Sequence, residues 1–239
     1  NWYFEVDLQA GDDLTDERVT DLTPASNYCW RVRFRDKSLA WSDWSTPSPF
    51  VTGTTQETAN LLVNTGAEDS TSNWVATAGV IESLTDGQCA GTTPYAGEYY
   101  FAVGALCTES AFGSAQQTVD VSAFGTEIDQ GIAVAKFGGQ LRDYLGTDVP
   151  SFAVRFLDNQ YDLIADSDTT SYVNGEWTLV QDNWAVPAGT RYVQMIIMGT
   201  RTNGLDNDSY FDDLFLKLNF SADSCSQYTP VSTSVADME

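Results

Sequence analysis

Apolar and polar residues alternate with a period of two along most of this chain, and this pattern most constrains the fold. Clear runs lie at residues 28–34, 153–157 and 214–218, and each is bounded by Gly, Asp, Asn or Pro. No helical period extends beyond about two turns, and the best short helix candidate is 122–129. The sequence therefore predicts an all-β protein.

The charge of the chain limits what it can bind. It has 34 acidic residues, 11 basic residues and no histidine, for a formal charge of −23 at pH 7. This field repels nucleic-acid phosphates and anionic membrane surfaces. No run reaches the roughly 18 to 20 apolar residues of a membrane span. We therefore expect neither a nucleic-acid partner nor insertion into a membrane.

The lack of histidine also restricts catalysis. It excludes a Ser-His-Asp triad, a Cys-His pair and a histidine-ligated zinc ion. Carboxylate chemistry stays open, because glycoside hydrolysis needs only two carboxyl groups. However, the acidic residues lie in turns among polar neighbours, and none stands in an apolar setting that would raise its pKa. The sequence predicts no catalytic residue and a protein that is not an enzyme.

A small, polar segment at 52–59 (TGTTQETA) divides the chain. We place the boundary at about residue 57, with a first module at 1–56 and a second at 57–218. Residues 219–239 are polar and rich in Ser and Thr, and we expect a tail or linker there. The chain starts at Asn1 without a leader, which favours a piece of a longer protein.

Four cysteines are present, and two of them flank a predicted strand at 98–104. Cys89 and Cys107 lie in loops rich in Gly, Thr and Ser, and a disulfide between them would contribute on the order of 3 kcal/mol. Two unpaired thiols are the alternative. Cys29 and Cys225 are a possible second pair, which would tie the tail to the first module. Because disulfides persist in oxidising compartments, we expect an extracellular or cell-surface protein.

Residues 22–45 carry the pattern of the end of a β-sandwich. A Leu-x-Pro turn precedes Tyr28, arginines alternate with apolar residues along 28–35, and Trp-Ser-Asp-Trp-Ser follows at 41–45. This resembles the C-terminal part of a fibronectin type III domain. The resemblance implies that arginines lie over the tryptophan faces. Such a domain needs about seven strands, so we expect the first strands upstream of Asn1, or else supplied by another chain.

The two ends of the second module carry a further resemblance. The opening NLLVNTGAEDSTSNW (60–74) and the close NDSYFDDLFLKL (207–218) resemble a galactose-binding-like jelly roll, a fold shared by many carbohydrate-binding modules. The expected architecture is a partial fibronectin type III sandwich followed by a β-jelly-roll sandwich. Because this scaffold carries many unrelated functions, it implies little about the ligand.

The same resemblance implies a structural calcium ion where the first and last strands meet. The matching ligands are the carbonyl of Gly66, the carboxylate of Glu68 and that of Asp212, with Asp213 as the competing choice. Backbone oxygens near Gly97 and Glu98 would complete a shell of six to eight oxygens. Chance clustering of the many acidic residues is the alternative.

Exposed aromatic rings are the usual platforms for sugars. The candidates are Trp74, Tyr95, Tyr99, Tyr144, Tyr161, Tyr172, Trp177 and Trp184, of which we expect the three tryptophans to pack in the core. For ligand binding we select Tyr99, which alternation places near a sheet face, with Arg142, Arg201 and Asn203 in predicted loops at the sheet ends.

Two functions fit these observations. One is a non-catalytic, carbohydrate-binding module of a larger secreted or surface protein, whose partners are carbohydrate or neighbouring modules. The other is a structural or adhesive subunit of an extracellular fibre, sheath or surface assembly. The first predicts an exposed ring beside hydrogen-bonding side chains, and the second predicts extensive contacts with neighbours.

Overall fold

The computed structural model describes residues 27–33, 36, 38, 40–51, 55–108 and 110–221. A compact unit spans Gln56–Ser221, and the described residues before it belong to a separate unit. Cys225 and the tail predicted at 219–239 lie outside the described residues, apart from positions 219–221. The possible Cys29–Cys225 pair is therefore not described.

The first unit contains two antiparallel strands, β1 (Asn27–Trp30) and β2 (Ser48–Val51), with Tyr28 opposite Phe50. Arg33 lies over Trp41, with its Cζ 4.0 Å from the ring centroid, and Arg31 lies over Trp44 at 4.4 Å. The arginine–tryptophan stacking that the sequence predicted is present. The fibronectin type III resemblance itself stays a prediction.

The larger unit is a sandwich of two antiparallel sheets. Its strands are β3 (Thr55–Glu57), β4 (Val75–Ala78), β5 (Ile81–Leu84), β6 (Tyr100–Val103), β7 (Phe112–Asp120), β8 (Ala133–Arg142), β9 (Val149–Leu157), β10 (Leu163–Asp166), β11 (Thr170–Ser171), β12 (Thr178–Ala185), β13 (Tyr192–Thr200) and β14 (Tyr210–Ser221). Sheet I has the order β10-β9-β13-β7-β4, and β11 also pairs with β9. Sheet II has the order β12-β8-β14-β6-β5, and β3 pairs with β14. The all-β prediction is confirmed.

The main core lies between the sheets, because alternate residues of each strand face inward. In β13, Val193, Met195 and Ile197 are buried while the residues between them are only partly covered. Phe137 of sheet II meets Phe152 of sheet I edge to face, with ring centroids 5.7 Å apart. Burial of such side chains contributes about 25 cal/mol per Å² of apolar surface.

A second apolar cluster lies on the outer side of sheet II. It consists of Leu84, Tyr100, Ala102, Leu106 and Tyr210, with Trp177 packed against it. Tyr100 thus faces away from the main core, as its alternation with Phe101 requires, yet it is fully buried. A disulfide joins Cys89 and Cys107 beside this cluster, and these are the two cysteines that the sequence analysis paired.

The short helix that was predicted at 122–129 is confirmed as a 3-10 turn at Ser122–Phe124 followed by α1 (Gly125–Asp129). The predicted strand at 98–104 is shorter, because Tyr100–Val103 alone pairs with β5 and β14. Likewise, β1 ends at Trp30 rather than continuing to residue 34. Within the described ranges, no helix has the length and apolar character needed to cross a membrane.

Candidate functional site

Asp212 lies where β14 bulges, between its pairing with Gln140 and that of Phe215 with Gly138. Its buried carboxylate accepts the N–H groups of Tyr95 and Ala96 on Oδ2, at 2.8 and 3.0 Å. Oδ1 accepts the N–H of Asp213 at 2.7 Å. Burial nevertheless raises the pKa of Asp212 to about 6. Neutral donors therefore hold this carboxylate, while desolvation still disfavours its charge.

Glu68 comes from the opposite end of the unit and meets the same loop. Its Oε1 accepts the N–H groups of Glu98 and Tyr99, at 2.9 and 3.0 Å. The opening and closing segments are joined by Asn60, whose Nδ2 donates to Leu214 O at 2.9 Å and whose Oδ1 accepts Leu216 N–H at 3.0 Å. Glu68, near the start of this unit, and Asp212, near its end, thus both accept hydrogen bonds from residues 95–99.

Two glycines provide the space around these carboxylates. A Cβ on Gly66 would lie 2.6 Å from Asp212 Oδ1, and a Cβ on Gly97 would lie 2.0 Å from Glu68 Oε1. Gly97 also has a φ of +67°, which favours glycine. A larger residue at either position would displace a carboxylate oxygen.

These groups surround an open cavity of about 130 Å³, lined by Thr65, Gly66, Glu68, Ala96, Gly97, Asp212 and Asp213. All four residues that the resemblance to the jelly roll selected for calcium therefore lie at one place. Among the described residues, no three carboxylates or thiols are grouped to share one metal ion. A cation here would accordingly take two carboxylates together with carbonyl and water oxygens, which calcium accepts.

One detail agrees with the expected ligand set, and one differs from it. Asp212, rather than Asp213, is the buried carboxylate, and Asp213 has an exposed side chain at the cavity wall. At Glu98, the backbone N–H contacts Glu68, whereas the sequence analysis had assigned backbone oxygens near this position. The two carboxylates would supply part of the oxygen shell that calcium needs, and calcium itself stays a prediction.

The residues selected for ligand binding have different surroundings. Tyr99 packs partly buried against the main core, and its N–H contacts Glu68. Asn203 and Arg201 lie on the loop 201–209, where Arg201 Nη1 donates to Leu205 O. Arg142 ends β8, and its Nε is buried with no hydrogen-bond partner among the described residues. The backbone N–H of Tyr99 and the guanidinium of Arg201 thus bond within the protein, and Arg142 Nε is buried.

The expectation that no carboxyl group has a raised pKa is wrong. Besides Asp212, burial raises the pKa of Asp143 and that of Asp208, and the neighbouring Asp148 carboxylate adds to both shifts. Asp148 is fully buried and accepts the N–H groups of Thr202 and Asp208, each at 2.8 Å. These acidic residues lie in loops by sequence, but packing of the loops 143–148 and 201–209 removes them from water.

The outer face of sheet I carries a row of hydrogen-bonding side chains. Gln194 of β13 lies at its centre, between Thr118 of β7 and Arg155 of β9 in the strand register. Gln194 Nε2 donates to Thr118 Oγ1 at 3.1 Å, and Arg155 Nε donates to Asp166 Oδ1 at 2.8 Å. Ile196 is the next residue of β13 on the same face, two positions after Gln194, and it lies opposite Gln116. The face therefore combines amide, hydroxyl and apolar groups.

Two stacked tyrosines border this row. The rings of Tyr161 and Tyr192 lie 4.2 Å apart with 17° between their planes. Tyr161 is 58% exposed and has a φ of +66°, which is uncommon for a tyrosine. Asp158 fixes this turn, because its Oδ1 accepts the N–H groups of Gln160 and Asp162 at 2.8 and 2.9 Å. The turn thus exposes the Tyr161 ring to solvent and stacks it on the Tyr192 ring.

Sequence reasoning included Tyr161 among the candidate rings but missed Tyr192, Gln116, Gln194 and Arg155. Alternation within 192–198 and 114–118 does place Gln194 and Gln116 opposite the buried positions. What the sequence does not give is that β7, β13 and β9 are neighbours, since they are far apart along the chain.

The chain matches no protein-family model and no curated protein. Among solved structures, it is similar to the enzymatically active domain of bacteriophage CBA120 tailspike protein 4, with 16% identity and a TM-score of 0.46. That similarity covers 66% of this chain and 21% of the tailspike chain, so this chain spans about a fifth of its length.

Two further similar structures are named for their carbohydrates. TmCBM61 in complex with β-1,4-galactotriose has 16% identity and a TM-score of 0.45, over 66% of this chain and 98% of that one. The CBM22-1 xylan-binding domain from Paenibacillus barcinonensis Xyn10C has 14% identity and a TM-score of 0.43, over 67% of this chain and 94% of that one. Neither likeness identifies a residue of the site.

Proposed function

We propose that this chain is a non-catalytic, extracellular carbohydrate-binding module that binds saccharides on the outer face of sheet I. The observation that carries this proposal is the Tyr161–Tyr192 ring pair beside the row of amide and hydroxyl side chains. A pyranose has apolar C–H faces and hydroxyl edges. Aromatic rings stack on the C–H faces, and amide and hydroxyl groups form hydrogen bonds with the hydroxyl edges.

The charge of the protein indicates which saccharides this face would accept. Arg155 is the cation on the central strands of the face, and it is already paired with Asp166. The chain as a whole carries −23, so it repels polymers of uronic or sulfated sugars. The proposed ligands are therefore neutral glycans, and the Cys89–Cys107 disulfide supports their recognition outside the cell.

We further propose that the cavity between Glu68 and Asp212 holds a structural calcium ion. A bound cation would neutralise the two carboxylates and so favour the charged form of Asp212, which burial disfavours. Glu68 and Asp212 would bind the ion, and Gly66 and Gly97 would leave it room. Since the cavity and the sheet I face are built from different strands, the ion's role would be structural.

The calcium proposal is tested by thermal unfolding with calcium and with a chelator. Calcium should stabilise the wild-type protein, by about 2.7 kcal/mol when free calcium is 100 times the dissociation constant. Glu68→Ala should abolish this gain. Glu98→Ala is the matched control, because the backbone of Glu98 contacts the site while its side chain is exposed. An unchanged calcium response in Glu68→Ala would place the ion elsewhere.

The carbohydrate proposal is tested by screening the full chain on a glycan array. The array should include β-1,4-galactan and xylan fragments and, for comparison, polyuronates and sulfated glycans. We expect selective binding to a neutral glycan class. Binding limited to the anionic glycans would contradict the proposed face, since its arginine is paired.

The alternative, a structural or adhesive subunit, is favoured by one surface. Three adjoining loops expose apolar side chains, among them Tyr144, Leu145, Val173 and Leu205. The loops are joined by Asp143 N–H to Asn174 O at 3.0 Å and by Thr202 N–H to Asp148. If the folded protein binds no glycan on the array and self-associates in sedimentation, the results would support this function instead.

A further inference from the structure

Residues 85–99, the cover loop, join β5 to β6 and adjoin the second apolar cluster. The disulfide fixes the start of the loop by joining Cys89 to Cys107. Cys107 is held in turn, because its N–H donates to Glu82 Oε2 of β5 at 3.0 Å. Both cysteines are exposed. The crosslink is therefore anchored to the sheet on one side and open to solvent on the other.

The backbone at the crosslink has an unusual conformation. Cys89 and Ala90 have φ values of 53° and 61°, in the left-handed region that residues with a Cβ disfavour. The disulfide is the covalent restraint at this point. Once it is cut, hydrogen bonds alone, such as Gly91 N–H to Gln88 O at 2.9 Å, oppose the return of both residues to favoured conformations.

That chain leads directly to the cavity between Glu68 and Asp212. After the crosslink, Thr92 N–H donates to the Tyr100 hydroxyl at 3.2 Å and Trp177 Nε1 donates to Thr93 O at 2.8 Å. Tyr95, the first residue to contact a cavity carboxylate, follows Cys89 by six positions. The restraint is thus separated from the cavity by only a short, partly anchored segment.

The cover loop supplies most of the donors that hold the two carboxylates. Asp212 Oδ2 accepts the N–H groups of Tyr95 and Ala96, and Glu68 Oε1 accepts those of Glu98 and Tyr99. Gly97, whose missing side chain leaves room for Glu68, lies between these pairs. The position of the loop therefore determines where both carboxylates point.

We infer that the Cys89–Cys107 disulfide controls the affinity of this cavity for calcium. Oxidised, it holds the cover loop so that both carboxylates are placed for one ion. Reduced, it releases the loop, and the ion must then order residues 85–99 as it binds. The inference rests on the proposed calcium site, and it adds a redox control to it.

The chemical step is a thiol–disulfide exchange with a dithiol reductant. The S–S bond of Cys89 and Cys107 takes up two electrons and two protons and becomes two thiols. The dithiol loses them and closes to a cyclic disulfide. Dithiothreitol serves as this reductant in the test.

The test measures calcium binding to the full chain by isothermal titration calorimetry in three forms: oxidised, reduced with dithiothreitol, and C89S/C107S. We expect the calcium dissociation constant to rise in the last two forms, within the roughly 5- to 150-fold range of typical coupling between sites. Circular dichroism checks that each form is folded. Dithiothreitol should not change binding by C89S/C107S, which controls for effects through Cys29 and Cys225.

The coupling must also act in the reverse direction. In dithiothreitol buffers of fixed redox ratio, saturating calcium should shift the disulfide equilibrium toward the oxidised form by the same factor. The fraction of reduced Cys89 and Cys107 is read by alkylation and mass spectrometry. This second measurement needs no substitution, so it holds even where C89S/C107S fails to fold.

Equal calcium affinities in the oxidised and reduced forms, with no shift of the disulfide equilibrium, would overturn the redox control and leave the calcium site in place. Absence of calcium binding by the oxidised protein would overturn both. A loss of affinity of roughly 5- to 150-fold in both altered forms, matched by the reverse shift, is the expected result.

Discussion

Gly97 and Gly87 have nearly the same left-handed backbone but different surroundings. Their φ values are +67° and +65°, yet a Cβ on Gly97 would collide with Glu68 whereas a Cβ on Gly87 would meet nothing within 4 Å. Substitution by alanine therefore costs the same backbone energy at both, about 1–2 kcal/mol. Any further loss of stability in the Gly97 variant therefore measures the displacement of the Glu68 carboxylate.

We expect Gly97→Ala to lose the calcium-dependent rise in melting temperature and Gly87→Ala to keep it. Both variants should be less stable than the wild type, with the larger loss at Gly97, because Glu68 must move. Thermal unfolding with calcium and with a chelator measures both effects. An equal calcium response in the two variants would show that Glu68 is not near the ion.

At the residue scale, the sequence predicted that Glu68 and Asp212 lie together but not their chemistry. Gly66, Glu68 and Asp212 were selected from the ends of the jelly-roll pattern, and they line one cavity. The raised pKa of Asp212 could not be predicted, because it depends on burial beneath residues 95–96. A carboxyl group in a polar stretch looks solvated until the loop that covers it is known.

At the scale of elements, a bidentate ion pair joins α1 to the loop before β13. Arg191 Nη2 donates to Asp129 Oδ2 at 2.7 Å, Arg191 Nη1 donates to Oδ1 at 3.1 Å, and Gly189 N–H donates to Oδ1 at 2.9 Å. These donors, Arg191 first, lower the pKa of Asp129. Folding therefore favours its ionised form.

We expect Asp129→Asn to be less stable than the wild type above the ordinary aspartate pKa, near 4. Since the folded-state pKa lies below the unfolded value, the contribution is present above that unfolded value and is lost as the pH falls through the folded one. The stability difference between the two proteins should thus shrink below about pH 4. Denaturant unfolding from pH 3 to 7 measures this, with Glu127→Gln as the control on the same helix. A difference that stays constant down to pH 3 would contradict the assignment.

Alternation predicted the strands at 153–157 and 214–218, which lie within β9 and β14. It failed at the ends of strands, where pairing rather than pattern decides: Glu98 and Tyr99 bond to Glu68 and so leave β6. It also did not show that Tyr100 and Tyr210 build a second cluster outside sheet II. That cluster depends on Tyr210 and Trp177, whose ring contacts with Tyr100 join residues far apart in the sequence.

At the scale of the whole molecule, the unit Gln56–Ser221 has its own core and both sheets. We expect residues 56–221, expressed alone, to unfold cooperatively with the melting temperature of the same unit in the full chain. Calorimetry of both proteins tests this. A large loss of stability in the isolated unit would mean that residues outside it contribute to its fold. The predicted boundary at about 57 remains a prediction until then.

The central claim is that saccharides bind on the outer face of sheet I, and two tyrosines of similar exposure test it most directly. Tyr161 is 58% exposed beside that face, and Tyr144 is 55% exposed on a loop at one end of the sandwich. Calorimetric titration of both alanine variants with the glycan selected on the array should show affinity lowered by Tyr161→Ala. Loss of one stacking ring is expected to cost about 1 kcal/mol, or roughly fivefold in the dissociation constant. Tyr144→Ala should bind as the wild type does. Loss of binding in Tyr144→Ala with full affinity in Tyr161→Ala would contradict the account and move the site to the loops.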